Sequence, residues 1–272
     1  MANPILTLTT DFGLSDHYTG VMKGVILGIC PKAQIVDISH EITPHEISEG
    51  GYVIAQAWRY FPKKTVHVVV VDPGVGTARR PILMEAGGHY FLAPDNGVLS
   101  AIFYAEKHKV RLISNERYFR KPVSRTFHGR DIFAPVAAHI AAGVPGARMG
   151  KLIEDYLKPS EEKPQRTGKR TWIGKVIKID RFGNLVTSFH VNDFPYLDRQ
   201  NFILSVGPMQ TSILARNYME SSSGELFLIV GSGGHYEVSI NQGSAAKQIR
   251  CDLGGPLELV VLPASDLSQP KR

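Results

Sequence analysis

Val66-His67-Val68-Val69-Val70-Val71-Asp72-Pro73-Gly74 is the stretch from which the fold can be read. Its β-branched run, interrupted by one imidazole, fits a strand buried on both faces of a parallel sheet, because a half-exposed strand would alternate polar and apolar residues. The run ends on a carboxylate, Asp72, followed at once by a Pro-Gly turn. In open α/β sheets ligands bind in the crevice outside the carboxyl ends of the strands, so a charged side chain at that tip is a candidate site residue.

Working outward, the neighbouring segments alternate in type. Ile5 to Thr9 and Gln34 to Ile38 read as strands. Asp16 to Cys30 reads as a helix with Val21, Met22, Val25, Ile26 and Ile29 on one face, and Glu46 to Phe61 as a helix with Ile47, Ile54, Ala55 and Trp58 inward. Downstream, Ile82 to Ala86 and His89 to Leu92 form a predicted hairpin closed by Gly87-Gly88, and Gly97 to Glu106 and Asp131 to Ala142 read as helices. This alternation predicts an α/β domain over residues 1–157 whose largely parallel central sheet is covered by helices.

The texture changes at residues 158–170, where two prolines and many charges leave almost no apolar residue, and this reads as a linker. Beyond it, short alternating segments separated by Gly, Asn or Pro predict a smaller all-β, barrel-like domain over residues 171–265, followed by a tail at 266–272.

Of the 272 residues, 43% are hydrophobic and 21% charged, and no stretch approaches the roughly 20 apolar residues that span a bilayer. Met1-Ala2-Asn3-Pro4 leads straight into a strand with no basic segment before an apolar block, so a cytoplasmic protein without signal peptide is expected. Cys30 and Cys251 sit in apolar settings and read as buried free thiols. The net charge of +6 invites a nucleic-acid partner, but its excess lies in Lys158, Lys163, Arg166, Lys169, Arg170 and Lys271-Arg272, where a solvated linker and tail explain it. Neither nucleic acid nor membrane is expected as a partner.

Asp11 follows the first strand and occupies a second tip, where it reads equally as a turn residue or as a carboxylate able to take two hydrogen bonds from a vicinal diol. Gly74-Val75-Gly76-Thr77-Ala78-Arg79 resembles a glycine loop, yet it has neither the third glycine of a dinucleotide fingerprint nor the Gly-Lys-Ser/Thr of a P-loop, which disfavours a nucleotide phosphate. His40 and His45 match no familiar ligand spacing, and no metal is expected. His128, in Phe127-His128-Gly129-Arg130-Asp131, taken alone reads as a satisfied histidine at a helix entry; the sharper reading is an imidazole beside a carboxylate and an arginine. Asp180-Arg181-Phe182-Gly183-Asn184 and Gly231-Ser232-Gly233-Gly234 are either plain turns or turns presenting polar groups to a small ligand.

Taken in order, Thr10-Asp11-Phe12-Gly13, Asp37-Ile38-Ser39-His40, Asp72-Pro73-Gly74-Val75-Gly76-Thr77, Ala93-Pro94-Asp95-Asn96-Gly97, Thr126-Phe127-His128-Gly129-Arg130-Asp131, Phe182-Gly183-Asn184 and Asn241-Gln242-Gly243-Ser244-Ala245 closely resemble the S-adenosyl-L-methionine (SAM) hydrolases, or hydroxide adenosyltransferases, relatives of the fluorinase and chlorinase enzymes. The resemblance runs from about Leu6 to Leu262. It implies an N-terminal α/β domain, a C-terminal β-barrel and a homotrimer with sites between neighbouring subunits. The activity implied is hydrolysis of SAM to adenosine and L-methionine by attack of activated water on the ribose C5′, with no cofactor beyond the substrate.

The resemblance assigns the family's catalytic trio to Asp72, Arg79 and His128. It places the ribose carboxylate on Asp11, the partner of the methionine amino group on Asp180 and the adenine-binding asparagine on Asn184. The methionine carboxylate falls to Ser232 with the Gly233 amide, and the adenine edge to backbone near Gln242. Halogenating relatives carry tyrosine where this chain has Asp72, and the fluorinase has a halide-contacting serine at Gly129 and an inserted loop absent after Arg79, all of which favours water over halide. The fluorinase also has tryptophan at His45 and arginine at Gly233. Competing readings are a chlorinase, for which the absent side chain at Gly129 would leave room for chloride as well as water, a non-catalytic SAM or adenosine sensor, and a basic RNA-binding protein.

Overall fold

The computed structural model describes residues 3–159 and 163–263. The tail predicted at 266–272, and residues 160–162 of the predicted linker, lie outside the described residues. The chain divides into two compact units, Met1–Glu161 and Glu162–Arg272.

The first unit is built on strands β1 (Ile5–Thr10), β2 (Gln34–Ser39), β3 (Val66–Val70), β4 (Pro81–Ala86), β5 (His89–Pro94), β6 (His108–Leu112) and β7 (Leu152–Ile153), arranged β2-β1-β3-β5-β4-β6-β7. The expectation of a largely parallel sheet is corrected to a mixed one. β2, β1, β3 and β5 run parallel, whereas β5–β4, β4–β6 and β6–β7 are antiparallel. The cause is the Gly87-Gly88 hairpin, which reverses the chain in mid-sheet so that the following strands pair with the reversed one.

Helices α1 (Tyr18–Ile29), α2 (Ile47–Ala57), α3 (Ser100–Ala105) and α4 (Ala134–Ala141) cover the sheet. β3 explains why its sequence is apolar without alternation: Val66, Val68 and Val70 pack with Met22 and Ile26 of α1 and Val136 and Ala137 of α4, while Val69 packs on the other face with Ile54 of α2 and Ile102 of α3. Each such fully buried aliphatic side chain contributes about 1.5–3 kcal/mol. Gly51 lets α2 approach the chain before α3, since a Cβ there would come within 2.8 Å of the Val98 carbonyl oxygen. His67, the one polar residue of the β3 run, has its Nδ1 2.7 Å from the Thr7 hydroxyl and its Nε2 3.2 Å from His89 Nδ1, and stacks on Phe91 at 4.8 Å. Burial, with the charge of His89 next, pushes its pKa down to about 3, so the ring is neutral.

The helix predicted from Asp131 begins earlier and irregularly, with a π-type turn over Gly129–Phe133 before α4. The helix predicted from Gly97 is shortened because the Asn96 side chain takes the Val98 amide, an Asx turn that competes with helical hydrogen bonding.

The second unit contains β8 (Gln165–Arg166), β9 (Thr171–Ile179), β10 (Leu185–His190), β11 (Phe202–Val206), β12 (Met209–Thr211), β13 (Leu214–Ala215), β14 (Leu226–Val230), β15 (His235–Ile240) and β16 (Pro256–Val261), with one short helix, α5 (Ala245–Ile249). Their order is β12-β11-β16-β9-β10-β15-β14-β13, with β8 on β9, and only β13–β14 is parallel. β12, at one end of this order, meets β14 near the other, where the Thr211 hydroxyl donates to the Leu226 carbonyl at 2.8 Å, so the sheet curls around a core that includes Leu185, Phe189, Leu204, Val238 and Leu259. Both cysteines are free; Cys30 is buried as expected, but Cys251 is only half-buried because it lies on the loop after α5.

Candidate active site

β1 and β3 are neighbours in register, Thr10 opposite Val70, so Asp11 and Asp72 emerge at adjacent strand tips. The loop after Asp72 folds back through Val75 N–H to the Asp72 carbonyl (3.2 Å) and Thr77 Oγ1 to the Gly74 carbonyl (2.7 Å). That return brings Arg79 onto Asp72: Nε donates to Oδ1 at 3.0 Å, and Nη2 donates to Oδ2. The same Nη2 lies 3.1 Å from Nδ1 of His128, at the start of the π-type turn, and the guanidinium sits 5.5 Å from the centre of the Phe133 ring. Arg79 thus touches both other residues of the predicted trio, and the Arg79 and Asp72 side chains are only 7% and 5% exposed. Arg79 Nη1 is buried without a hydrogen-bond partner among the described residues.

Two opposing effects act on Asp72. Burial raises its pKa and outweighs the lowering by Arg79 and His128, while the Asp11 carboxylate adds to the rise. His128 is pushed the other way, down from the ordinary imidazole value, by burial first and by the Arg79 charge second. Arginine can only donate, so His128 Nδ1 accepts and the neutral ring carries its proton on Nε2. Asp131, the sequence neighbour of His128, is buried and bound by Arg130 and by the Ser124 amide, and both it and Asp72 act on the imidazole through their charge.

A cavity of about 300 Å³ opens above this cluster, lined by Asp11, Asp72 and His128 together with Phe12, Tyr18, His45 and Phe127. Asp11 Oδ2 accepts the His45 amide at 3.0 Å, and His45 adopts φ 71°, a left-handed conformation unusual for a residue with a side chain. Tyr18 and Phe127 meet edge to face at 5.1 Å and form an apolar wall that no polar-motif reading of the sequence picks out. Gly129 lines the cavity, and in the direction of a Cβ its surroundings are close-packed: a Cβ there would meet Met22 Sδ and Phe127 at 3.2 Å and Phe12 at 3.3 Å.

The second unit carries the remaining predicted residues. Asp180 Oδ1 accepts the Phe182 and Asn184 amides, both at 2.9 Å, and its Oδ2 accepts the Asn184 side-chain amide at 2.8 Å. Asp180 therefore closes its own turn and orients buried Asn184. The Gly183 carbonyl accepts the Ala246 amide at 2.9 Å, which ties this turn to α5 just after Gln242, itself at φ 56°. Ser232 and Gly233 form the β14–β15 turn, where His190 Nε2 lies 3.3 Å from the Gly233 carbonyl. Glu237 of β15 has its pKa raised by burial and then by Asp180. Among the described residues no group of three or more His, Cys, Asp or Glu side chains is arranged to hold a metal, and no helix is long and apolar enough to cross a membrane.

A carboxylate at a strand tip, a guanidinium on the loop that follows it and an imidazole at a helix entry meet beside a cavity of the first unit, which is joined in sequence to a curled β unit. The family model described as SAM hydroxide adenosyltransferase N-terminal domain matches residues 6–150, and that described as SAM hydroxide adenosyltransferase C-terminal domain matches residues 174–258. A protein of Salinispora tropica named (R)-S-adenosyl-L-methionine hydrolase is 35% identical, covering 89% of this chain and 92% of its own length. One of the same name from Methanocaldococcus jannaschii is 37% identical over 94% of this chain and 95% of its own. The crystal structure of an uncharacterized conserved protein from Thermotoga maritima aligns with TM-score 0.86 and 38% identity over 94% of this chain and 99% of the other. The chain belongs to the SAM hydroxide adenosyltransferase family.

Proposed function

We propose that the protein hydrolyses S-adenosyl-L-methionine to adenosine and L-methionine by in-line attack of water on the ribose C5′. The observation that carries this is the buried Asp72 carboxylate, forked by Arg79 and raised in pKa at the floor of a cavity. Such a carboxylate accepts a proton from water more readily than an ordinary one. His128 Nδ1 is occupied by Arg79, so within the trio Asp72 is the proton acceptor, and Arg79 with His128 fixes it and balances charge.

The leaving sulfonium departs as a neutral thioether and needs no acid. Alignment in a near-attack geometry supplies roughly 7–11 kcal/mol, whereas a positioned base gives about 10² to 10⁴ in rate, so placement of water and C5′ outweighs proton transfer. Asp11 Oδ2 takes the His45 amide, which leaves Oδ1 as the oxygen offered to the ribose in this reading, and a cationic substrate suits the acidic tips. In the second unit Asp180 serves the methionine amino group, Asn184 and backbone near Gln242 the adenine, and Ser232 with the Gly233 amide the methionine carboxylate. The reading extends to a barrel-like second domain, a homotrimer with sites between subunits, no cofactor and a cytoplasmic location.

Incubation with SAM in ¹⁸O-water tests it: label in adenosine, with methionine released, is the expected product. Unchanged SAM with tight binding would indicate a sensor, and 5′-chloro-5′-deoxyadenosine in high chloride would indicate a halogenase.

A further inference from the structure

We propose that His40 is a positioning residue that clamps the two-residue segment Asp11–Phe12 from both ends, an inference that rests on the reading of Asp11 as a substrate-binding carboxylate. His40 is buried, its side chain 1% exposed, beneath the loop that leaves β1. Its Nδ1 lies 2.8 Å from the Thr10 hydroxyl, and its backbone carbonyl accepts the Gly13 amide at 2.8 Å. Thr10 and Gly13 are the residues on either side of Asp11–Phe12, so one histidine holds the segment through its ring at one end and through its backbone at the other. Thr10 Oγ1 also accepts the Phe12 amide at 3.3 Å.

The Thr10 oxygen takes the Phe12 N–H and shares one hydrogen with His40 Nδ1, while His40 Nε2 lies 3.1 Å from Asp37 Oδ1 as a close contact but has no hydrogen-bond partner among the described residues. Lys23 Nζ holds the other Asp37 oxygen at 2.6 Å. Thr10 is wholly buried and spends its hydroxyl on His40 and the Phe12 amide, so it orients the neighbouring Asp11 rather than acting on substrate.

The same strand supplies a matched control. Thr7 makes the equivalent buried contact with His67, away from the cavity, at 2.7 Å. Thr10→Val is expected to raise KM for SAM roughly five- to tenfold, the size of one lost hydrogen bond, with kcat within about twofold. The Phe12 and Gly13 amides should exchange with solvent roughly tenfold faster, and Thr10→Ser should restore both readouts. Thr7→Val should lower the melting temperature while leaving KM and those two amides as in the parent. Asp37→Asn, at the exposed end of the chain, covers the case in which Thr10→Val fails to fold, and should shift KM and exchange in the same direction by about twofold. Unchanged KM and exchange in the Thr10 or Asp37 variant, or an equal KM rise in Thr7→Val, would overturn the proposal. Absence of turnover in the parent protein would count against the hydrolase reading alone, and the exchange measurements would still decide the clamp.

Discussion

Arg79 Nη2 lies 3.1 Å from His128 Nδ1 while the same guanidinium forks onto Asp72, so one cation sets the orientation of both other members of the trio. Lysine offers a single point charge and no planar fork. Arg79→Lys is therefore expected to keep the fold and to lower kcat by about 10² or more, and Asp72→Asn by about 10² to 10⁴. Circular dichroism checks the first statement and initial rates the second; near-parental rates in both variants would remove the trio from the mechanism.

The directions in which the two pKa values move fix the acid side of the pH profile. Asp72 must be ionised to accept a proton, and its pKa lies above the ordinary 3.8 because burial raises it. His128 must be neutral to accept from Arg79, and its pKa lies below the ordinary 6.5 because burial lowers it. As pH falls, activity should be lost with an apparent midpoint above the ordinary carboxylate value of 3.8, belonging to the coupled pair rather than to either residue. A kcat/KM profile extended down to about pH 3 measures this, and full activity retained through 3.8 would contradict the raised carboxylate.

The N-terminal strands and helices were legible because each element carries its own periodicity, and β3 above all because nothing but double-sided burial explains its valines. The reversal that makes the sheet mixed is visible locally as Gly87-Gly88. The pairing of β6 onto the reversed strand and of β7 onto β6 is not, since short strands such as Leu152–Ile153 have too few residues to show a period. Asp72 announced itself by its position after a buried run. His128 did not, because its neighbours Arg130 and Asp131 pair with each other and imitate a charged partner, whereas the contact it makes is with Arg79, distant in sequence. Family resemblance located it where local chemistry was silent. The clamp at His40 needed three dimensions, for Thr10 and His40 meet only because β1 and β2 pair in parallel.

Gly129 is held by packing. Its absent Cβ would approach Met22, Phe127 and Phe12 at 3.2–3.3 Å, so even alanine obliges the aromatic wall to give by a few tenths of an ångström. Gly129→Ala is expected to destabilise by about 1–3 kcal/mol and Gly129→Ser by at least as much, since a hydroxyl would enter an apolar contact. Chemical denaturation measures the loss, and a serine variant as stable as the parent would show that the wall yields freely.

Acid sensitivity of the first unit should trace largely to His67. Its folded pKa of about 3 lies well below the unfolded value of 6.5, so the folded state favours the neutral ring. The sign follows: the stability associated with the neutral ring is fully present above pH 6.5, declines as pH falls, and is gone once pH passes through about 3. A tenfold difference in proton affinity between the folded and unfolded chain is worth about 1.36 kcal/mol, which puts the full effect on the order of 4–5 kcal/mol. Replacing His67 alone would orphan the Thr7 hydroxyl, so the informative variant is Thr7→Val with His67→Phe, which keeps an aromatic ring against Phe91 and removes the Thr7 hydroxyl together with its partner, at the cost of the His89 Nδ1 contact. Its melting temperature should fall less than that of the parent between pH 6.5 and 4, and because Asp72 titrates identically in both proteins its opposite contribution cancels in the comparison. Parallel curves for the two proteins would place the acid sensitivity elsewhere in the chain.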